Sequence, residues 1–178
     1  AIAAGCTVVL KPSELTPMST LRLAELTDGV LPAGVFNVIT GDGATAGAAL
    51  TTHPLVDMVS LTGSVGTGKA IARAASDSLK RVHLELGGKA PVVVLDDADL
   101  AQVAESLKVG SFWNAGQDCT AACRVITAPG IHDAAVEAIA EAARSLVVGP
   151  TTDEATELGP VISVRQRERV EGFVSRAA

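Results

Sequence analysis

The stretch "LTGSVGTGKA" (residues 61–70) puts Gly63, Gly68 and Lys69 at the spacing of a phosphate-binding P-loop. That loop needs Ser or Thr directly after its lysine to hold magnesium, and this chain has Ala70 there. Two readings follow: a nucleoside-triphosphate cradle, or a glycine turn opening a helix whose free N–H groups meet some other phosphate. The run "PVVVLDDAD" (91–99) keeps the first reading open, because it ends in aspartates as a magnesium-holding Walker B strand does. The flanks of the stretch carry more information. "VDMVSL" before it is a short apolar run, a helical pattern extends from about Gly66 to Leu79, and "VHLEL" follows. Strand, turn, helix and strand in this order form the unit of a parallel sheet.

The same alternation extends in both directions. Upstream, "TVVL" reads as a strand, a helix starts near Thr16, "VFNVIT" is a strand, and a short helix covers "ATAGAALTTH". Downstream of "LELGGKAP" the pattern restarts with the strand "PVVVL" and a helix from about Ala98 into "GSFWN". The strand "CRVITA" and a helix over "HDAAVEAIAEAARSL" follow. This predicts an α/β fold of doubly wound type, whose ligands lie beyond the carboxyl ends of parallel strands. Paired glycines at 87 and 88 mark a boundary, giving one domain over 1–86 and a second over 87–178. No internal repeat is visible.

Composition narrows the partners. With 178 residues, 48% of them hydrophobic and 19% charged, the chain can bury a core. A net charge of -6 and the lack of a Lys/Arg-rich tract argue against nucleic acid and for a small-molecule ligand. No apolar run approaches the roughly 18 residues of a membrane span, so a cytoplasmic protein is expected. Three cysteines are an odd number for a disulfide framework, and Cys119 and Cys123 lack a matching second pair for zinc. No metal site is predicted. The chain opens in an apolar segment and "EGFVSRAA" stops within a helical pattern, so it reads as part of a longer protein.

Three places carry possible chemistry. Cys119 stands in "NAGQDCTAACR", after a helical stretch loosened by Gly116. A thiol becomes a nucleophile where N–H groups or cations stabilise its thiolate, but a free cysteine is as readily a small buried hydrophobe. Cys6 and Cys123 are read in the second way. Glu85 ends the strand "VHLEL", and the period of two sets it on the face of His83, with Val82, Leu84 and Leu86 on the other. A carboxylate at a strand end can enter a cleft and act as a general base, or can simply face water. Lys11 and Glu14 follow the first strand in "VVLKPSE", where crevice ligands bind and where a carboxylate can accept from ribose hydroxyls.

Together "VVLKPSE", "GDGATAG", "SLTGSVGTG", "LELGGKAP" and "GQDCTAACR" resemble the NAD(P)-dependent aldehyde dehydrogenase superfamily, in order along essentially the whole chain. The resemblance implies a variant Rossmann cofactor domain followed by the first part of a catalytic domain. It implies that Cys119 attacks an aldehyde, that hydride passes to the nicotinamide, and that Glu85 activates water against the resulting thioester. Lys11, Glu14, Gly43, Gly63, Ser64 and Leu86 are the cofactor contacts it implies, with Gly41 opening the "GDGATAG" turn. Glu14 should repel a 2′-phosphate, which favours NAD over NADP.

Within that superfamily "GQDCTAACR" is most similar to the branch oxidising aminoaldehydes such as 4-aminobutanal, with betaine aldehyde enzymes nearby, and Asp118 could attract a cationic substrate. The family's oxyanion asparagine and a downstream glutamate fall outside this sequence, so the chain is expected to be incomplete for activity. The full-length protein is expected to be a homo-oligomer. A P-loop NTPase and a non-catalytic nucleotide-binding module are the rivals. The first leaves Lys11, Glu14, Glu85 and Cys119 without roles.

Overall fold

A computed structural model describes residues 1–177. Strand β1 (Val8–Leu10), helix α1 (Met18–Thr27) and strand β2 (Phe36–Val38) come first, then helix α2 (Ala48–Thr52), strand β3 (Met58–Thr62), helix α3 (Val65–Ser76) and strand β4 (Arg81–Glu85). Strand β5 (Ala90–Val94), helix α4 (Leu100–Phe112), strand β6 (Ala122–Thr127), helix α5 (His132–Arg144) and helix α6 (Val164–Ala177) complete the order. The strands pair in parallel as β1 with β2, β3 with β4 and β5 with β6. Each pair is bridged by one helix, α1, α3 or α4, as parallel neighbours require. The mixed α/β class expected from the alternation is present. Among the described residues the strands join two by two instead of in one continuous sheet. The chain forms two compact units, one of residues Ala1–Glu85 and one that begins at Leu86.

In the first unit, β3 and β4 align Met58 with Arg81, Ser60 with His83 and Thr62 with Glu85. The alternate residues Val59, Leu61 and Leu84 are the better covered ones, and α3 packs against both strands with Ala75 and Gly68 buried. α3 begins where Ser64 turns to an extended backbone and its Oγ accepts the Thr67 N–H at 3.1 Å. That cap satisfies one of the four orphan donors of the helix start and is worth about 1 kcal/mol. Gly68 and Lys69 therefore sit inside α3, at least a full turn beyond its cap. A P-loop would instead need them at the helix mouth.

In the second unit Pro91 lies in β5, and the register shifts between Ala90 and Pro91. A proline cannot donate to the ladder, so an irregularity is where a strand tolerates it. The acidic end of the run "PVVVLDDAD" also has a structural use. Asp99 Oδ1 accepts the N–H groups of Ala101 and Gln102 and caps α4. Ala104 and Leu107 of α4 and Ala135 and Ala142 of α5 are buried, and these two helices pack on each other. Three of these four residues are alanines. Lys108 of α4 pairs with Glu157 at 3.0 Å, while the other Glu157 oxygen accepts the Val147 N–H at 2.9 Å, tying the loop after α5 to α4.

Cys6 and Cys123, read from sequence as small buried residues, are both exposed. Cys6 follows the left-handed Gly5 that ends the first helical turn of the chain. Cys123 lies on β6, where Val125 and Thr127 are the better covered positions. Among the described residues no helix is long and apolar enough to cross a membrane. No cluster of three or more His, Cys, Asp or Glu stands among them in a position to hold a metal ion.

Candidate functional site

The turn after β1 and the segment after β2 are joined by one cation. Lys11 Nζ donates to the carbonyls of Pro12 at 2.6 Å and Gly41 at 3.1 Å, and lies 3.8 Å from Glu14 Oε2. Its side chain is 15% exposed against 57% for Glu14. The ammonium thus ties two backbone segments together and lies beside Glu14, whose carboxylate is the more exposed of the two groups. Gly41 needs to be glycine. Its φ is +146°, and a Cβ there would lie 2.7 Å from the Cβ of Ala46. The chain then enters a tight turn, Gly43–Gly47, opened by Asp42, whose Oδ1 accepts the Thr45 N–H at 2.7 Å. The Thr45 N–H, and then its hydroxyl, hold the Asp42 carboxyl below the usual carboxylate range.

Glu14, Asp42, Gly43 and Ala44 line a cavity of about 560 Å³ with Gly66, Thr67 and Ala70 of α3. Its volume is that of a small-molecule site, for which about 300–1,000 Å³ is usual. The start of α3 is part of its wall. Ser64 takes the Thr67 N–H with its hydroxyl and the Gly68 N–H with its carbonyl. The N–H groups of Val65 and Gly66 have no acceptor among the described residues. A twelve-residue helix with two free donors at its positive end, beside a cavity, has the donor set a phosphate ester takes. The carboxylates of Glu14 and Asp42 suit hydroxyls in the same cavity. These residues fit a dinucleotide.

Glu85 closes β4, and its carbonyl accepts the Gly63 N–H at 3.0 Å, so the turn that leads to Ser64 is fixed to the strand end carrying the carboxylate. The side chain of Glu85 is 52% exposed. His83 lies on the same face, with Nε2 3.0 Å from Glu85 Oε1 and Nδ1 3.2 Å from Ser60 Oγ. Leu86, which follows, is half-buried and belongs to the second unit.

Cys119 also belongs to the second unit and is exposed. The backbone just before it is strained. Asn114, Ala115 and Gly116 have φ of 52°, 56° and 71°, so two residues with a Cβ are in the left-handed region. Such a residue costs on the order of 1 kcal/mol, which Asn114 offsets in part by donating from Nδ2 to the Gln117 carbonyl at 3.1 Å. Asp118 Oδ1 accepts both the N–H (2.8 Å) and the hydroxyl (2.9 Å) of Thr120, wrapping the chain around the cysteine. The Thr120 N–H is the main reason the Asp118 carboxyl stays below the usual carboxylate range. Gly88 lies against the Cys119 carbonyl so closely that a Cβ at Gly88 would meet its oxygen. The thiol is accessible while its main chain is held from both sides, as a nucleophile needs.

Comparison with known proteins gives this arrangement a family. The aldehyde dehydrogenase family matches residues 1–178. The chain belongs to the aldehyde dehydrogenase family. A betaine aldehyde dehydrogenase of Sinorhizobium fredii is 46% identical over 177 residues, which are 99% of this chain and 36% of that protein. A solved NAD-dependent aldehyde dehydrogenase from Sinorhizobium meliloti superposes with a TM-score of 0.94 at 45% identity, over 98% of this chain and 35% of that one. A cysteine-to-alanine mutant of aldehyde dehydrogenase C from Pseudomonas syringae, solved with NAD+ and octanal, gives 0.93 at 44% identity over 98% and 36%. The chain therefore spans about a third of the length of these relatives.

Membership of the aldehyde dehydrogenase family removes the P-loop NTPase reading, in agreement with the place of Lys69 inside α3. Sequence reasoning missed Asp42, Thr67 and the Ser60–His83 pair. Asp42 was legible in principle, since Asp is a preferred residue at the cap of a helical turn. Thr67 and the Ser60–His83 pair require knowledge of which turn lines the cavity and of the β3–β4 register.

Proposed function

We propose that the protein carrying this chain oxidises an aldehyde to the carboxylic acid with NAD, using Cys119 as nucleophile and Glu85 as general base. In this reading residues 1–86 bind the cofactor and residues 87–178 belong to the catalytic domain. The observation that carries it is an exposed thiol on a main chain fixed between a left-handed turn and Gly88. The sulfur of Cys119 adds to the carbonyl carbon to form a thiohemiacetal, and its own N–H is the donor available to the oxyanion. A dinucleotide held by Glu14, Gly63 and Ser64 would supply the acceptor for the hydride, and loss of hydride from this carbon leaves a thioester on Cys119. Glu85 then takes a proton from water as the water oxygen bonds to the thioester carbon. The C–S bond breaks and its electron pair returns to Sγ. A thiolate suits both halves, being a soft nucleophile and a competent leaving group.

Lys11 and Glu14, 3.8 Å apart, are read as the contacts to the adenosine ribose. Gly43, Gly63, Ser64 and Leu86 are the other cofactor-side residues, with Gly63 and Ser64 forming the turn toward the pyrophosphate. Two carboxylates in one cavity, Glu14 and an Asp42 that stays ionised, oppose an added 2′-phosphate and support NAD over NADP. For the substrate we favour an aminoaldehyde such as 4-aminobutanal. Relatives named for betaine aldehyde support it, as does the carboxylate of Asp118, which stands next to Cys119 in the chain and is held ionised. Homo-oligomeric assembly belongs to the same reading and rests on the family resemblance alone.

The test uses the full-length protein in rapid-mixing experiments that follow NADH. Cys119→Ala abolishes aldehyde oxidation. Glu85→Gln leaves a first-turnover burst and slows the steady state by roughly 10²-fold or more, the usual worth of a general base. An unchanged steady-state rate in Cys119→Ala overturns the reading.

A further inference from the structure

We infer that Ser60 and His83 form a positioning pair for Glu85, fixing which of its two oxygens receives the proton. The inference rests on the reading of Glu85 as the general base. Register brings the three side chains together. β3 and β4 pair in parallel with Ser60 opposite His83, and the period of two along β4 sets Glu85 on the same face. Ser60 Oγ is 3.2 Å from His83 Nδ1, and His83 Nε2 is 3.0 Å from Glu85 Oε1.

One arrangement of protons satisfies both contacts with a neutral imidazole. An ionised carboxylate only accepts, so Nε2 carries the hydrogen and donates to Oε1. Nδ1 is then a bare acceptor, and the Ser60 hydroxyl donates to it. In a neutral histidine the partner of one nitrogen sets the tautomer at the other, so Ser60 selects the form that can serve Glu85. The consequence falls on the base itself. A carboxylate at a strand end, 52% exposed, is otherwise free to rotate about its last bond. With Oε1 held by imidazole, Oε2 has no partner among the described residues and is the oxygen left for water.

The test separates this inference from the reading it rests on. In the full-length enzyme, His83→Leu, His83→Gln, Ser60→Ala and Glu85→Gln are compared by NADH burst and by steady-state rate. The burst amplitude reports the folded, cofactor-competent fraction of each variant. His83→Leu lowers the steady-state rate about tenfold with its burst retained, a loss on the scale of a misplaced reacting group. His83→Gln, whose amide nitrogen reaches the place of Nε2, recovers most of that loss. Ser60→Ala costs a few-fold. If Glu85→Gln slows turnover while His83→Leu and Ser60→Ala do not, the positioning pair is wrong and the base stands. If His83→Gln is as slow as His83→Leu, donation from Nε2 is not the cause and the inference fails. If Glu85→Gln turns over at the wild-type rate, the base reading itself falls first.

Discussion

Gly88→Ala is the substitution that bears most directly on Cys119, the proposed nucleophile. A methyl group at position 88 would sit within hard contact of the Cys119 carbonyl oxygen and 3.6 Å from its carbon. Both atoms are main chain, so no side chain can swing aside. Ordinary carbon–oxygen contacts are about 3.3–3.6 Å, so either the Gly88 segment or the Cys119 peptide must move by roughly 1 Å. Overpacking of this kind costs about 1–3 kcal/mol of stability. The effect on chemistry is separate: a displacement near 1 Å at a reacting group costs about 10²-fold in rate, or about 2.7 kcal/mol. Gly87→Ala is the control. A Cβ at Gly87 has nothing within 4 Å, and neither glycine has a positive φ, so the pair differs in space and not in backbone strain. The assay is the first-turnover burst of the full-length enzyme with saturating NAD and aldehyde, beside the rate of Cys119 alkylation by iodoacetamide and a denaturant titration. Gly88→Ala slows the burst about 100-fold, and Gly87→Ala stays near wild type. A Gly88→Ala burst within threefold of wild type refutes the reasoning, as do equal losses at both positions.

Asp118→Asn keeps the acceptor that Thr120 uses and removes the charge. The ratio of kcat/KM for an aminoaldehyde to that for a neutral aldehyde of equal length falls severalfold, and an unchanged ratio excludes Asp118 from substrate choice. Glu157 provides the pH test. The Val147 N–H, then the Lys108 ammonium, lower its folded pKa, so the stability it contributes is present above its unfolded value of about 4.3 and is lost as pH falls through the folded one. Wild type is therefore more stable than Glu157→Gln at neutral pH, and the two denaturation midpoints converge on acidification below about pH 4. A gap independent of pH removes the ionised form from the account.

How much of the fold could be read in advance depended on the length of the pattern. Runs such as "VDMVSL" and "HDAAVEAIAEAARSL" hold their period long enough to name the element, and β3 and α5 lie where those runs do. Ends shifted by a residue or two because caps decide them. Ser64 and Asp99 set the first turns of α3 and α4 through single hydrogen bonds. The joining of strands two by two was not readable, since pairing is a relation between distant segments. Burial of individual cysteines failed for the same reason: residue type states a preference, and coverage of a strand face depends on what packs there.

The candidate site divides along the same line. Cys119, Glu85 and Glu14 were singled out from sequence because each is a residue type capable of chemistry within one of the quoted motifs. What holds them was not. Ala115 has no chemical inclination toward a left-handed backbone, and only the closing of "WNAGQDC" between α4 and β6 imposes it. Ser60 and His83 are 23 positions apart and unremarkable singly, and they become a pair only through the β3–β4 register. Lys11 has a structural use that the motif alone did not disclose: its ammonium donates to the Pro12 and Gly41 carbonyls and lies 3.8 Å from Glu14. Reactive residues can be read from their types, whereas the geometry that makes them reactive is built from contacts no local pattern encodes. Variants of those contacts, Gly88 and His83 foremost, are therefore sharper tests of this site than removal of the reactive groups themselves.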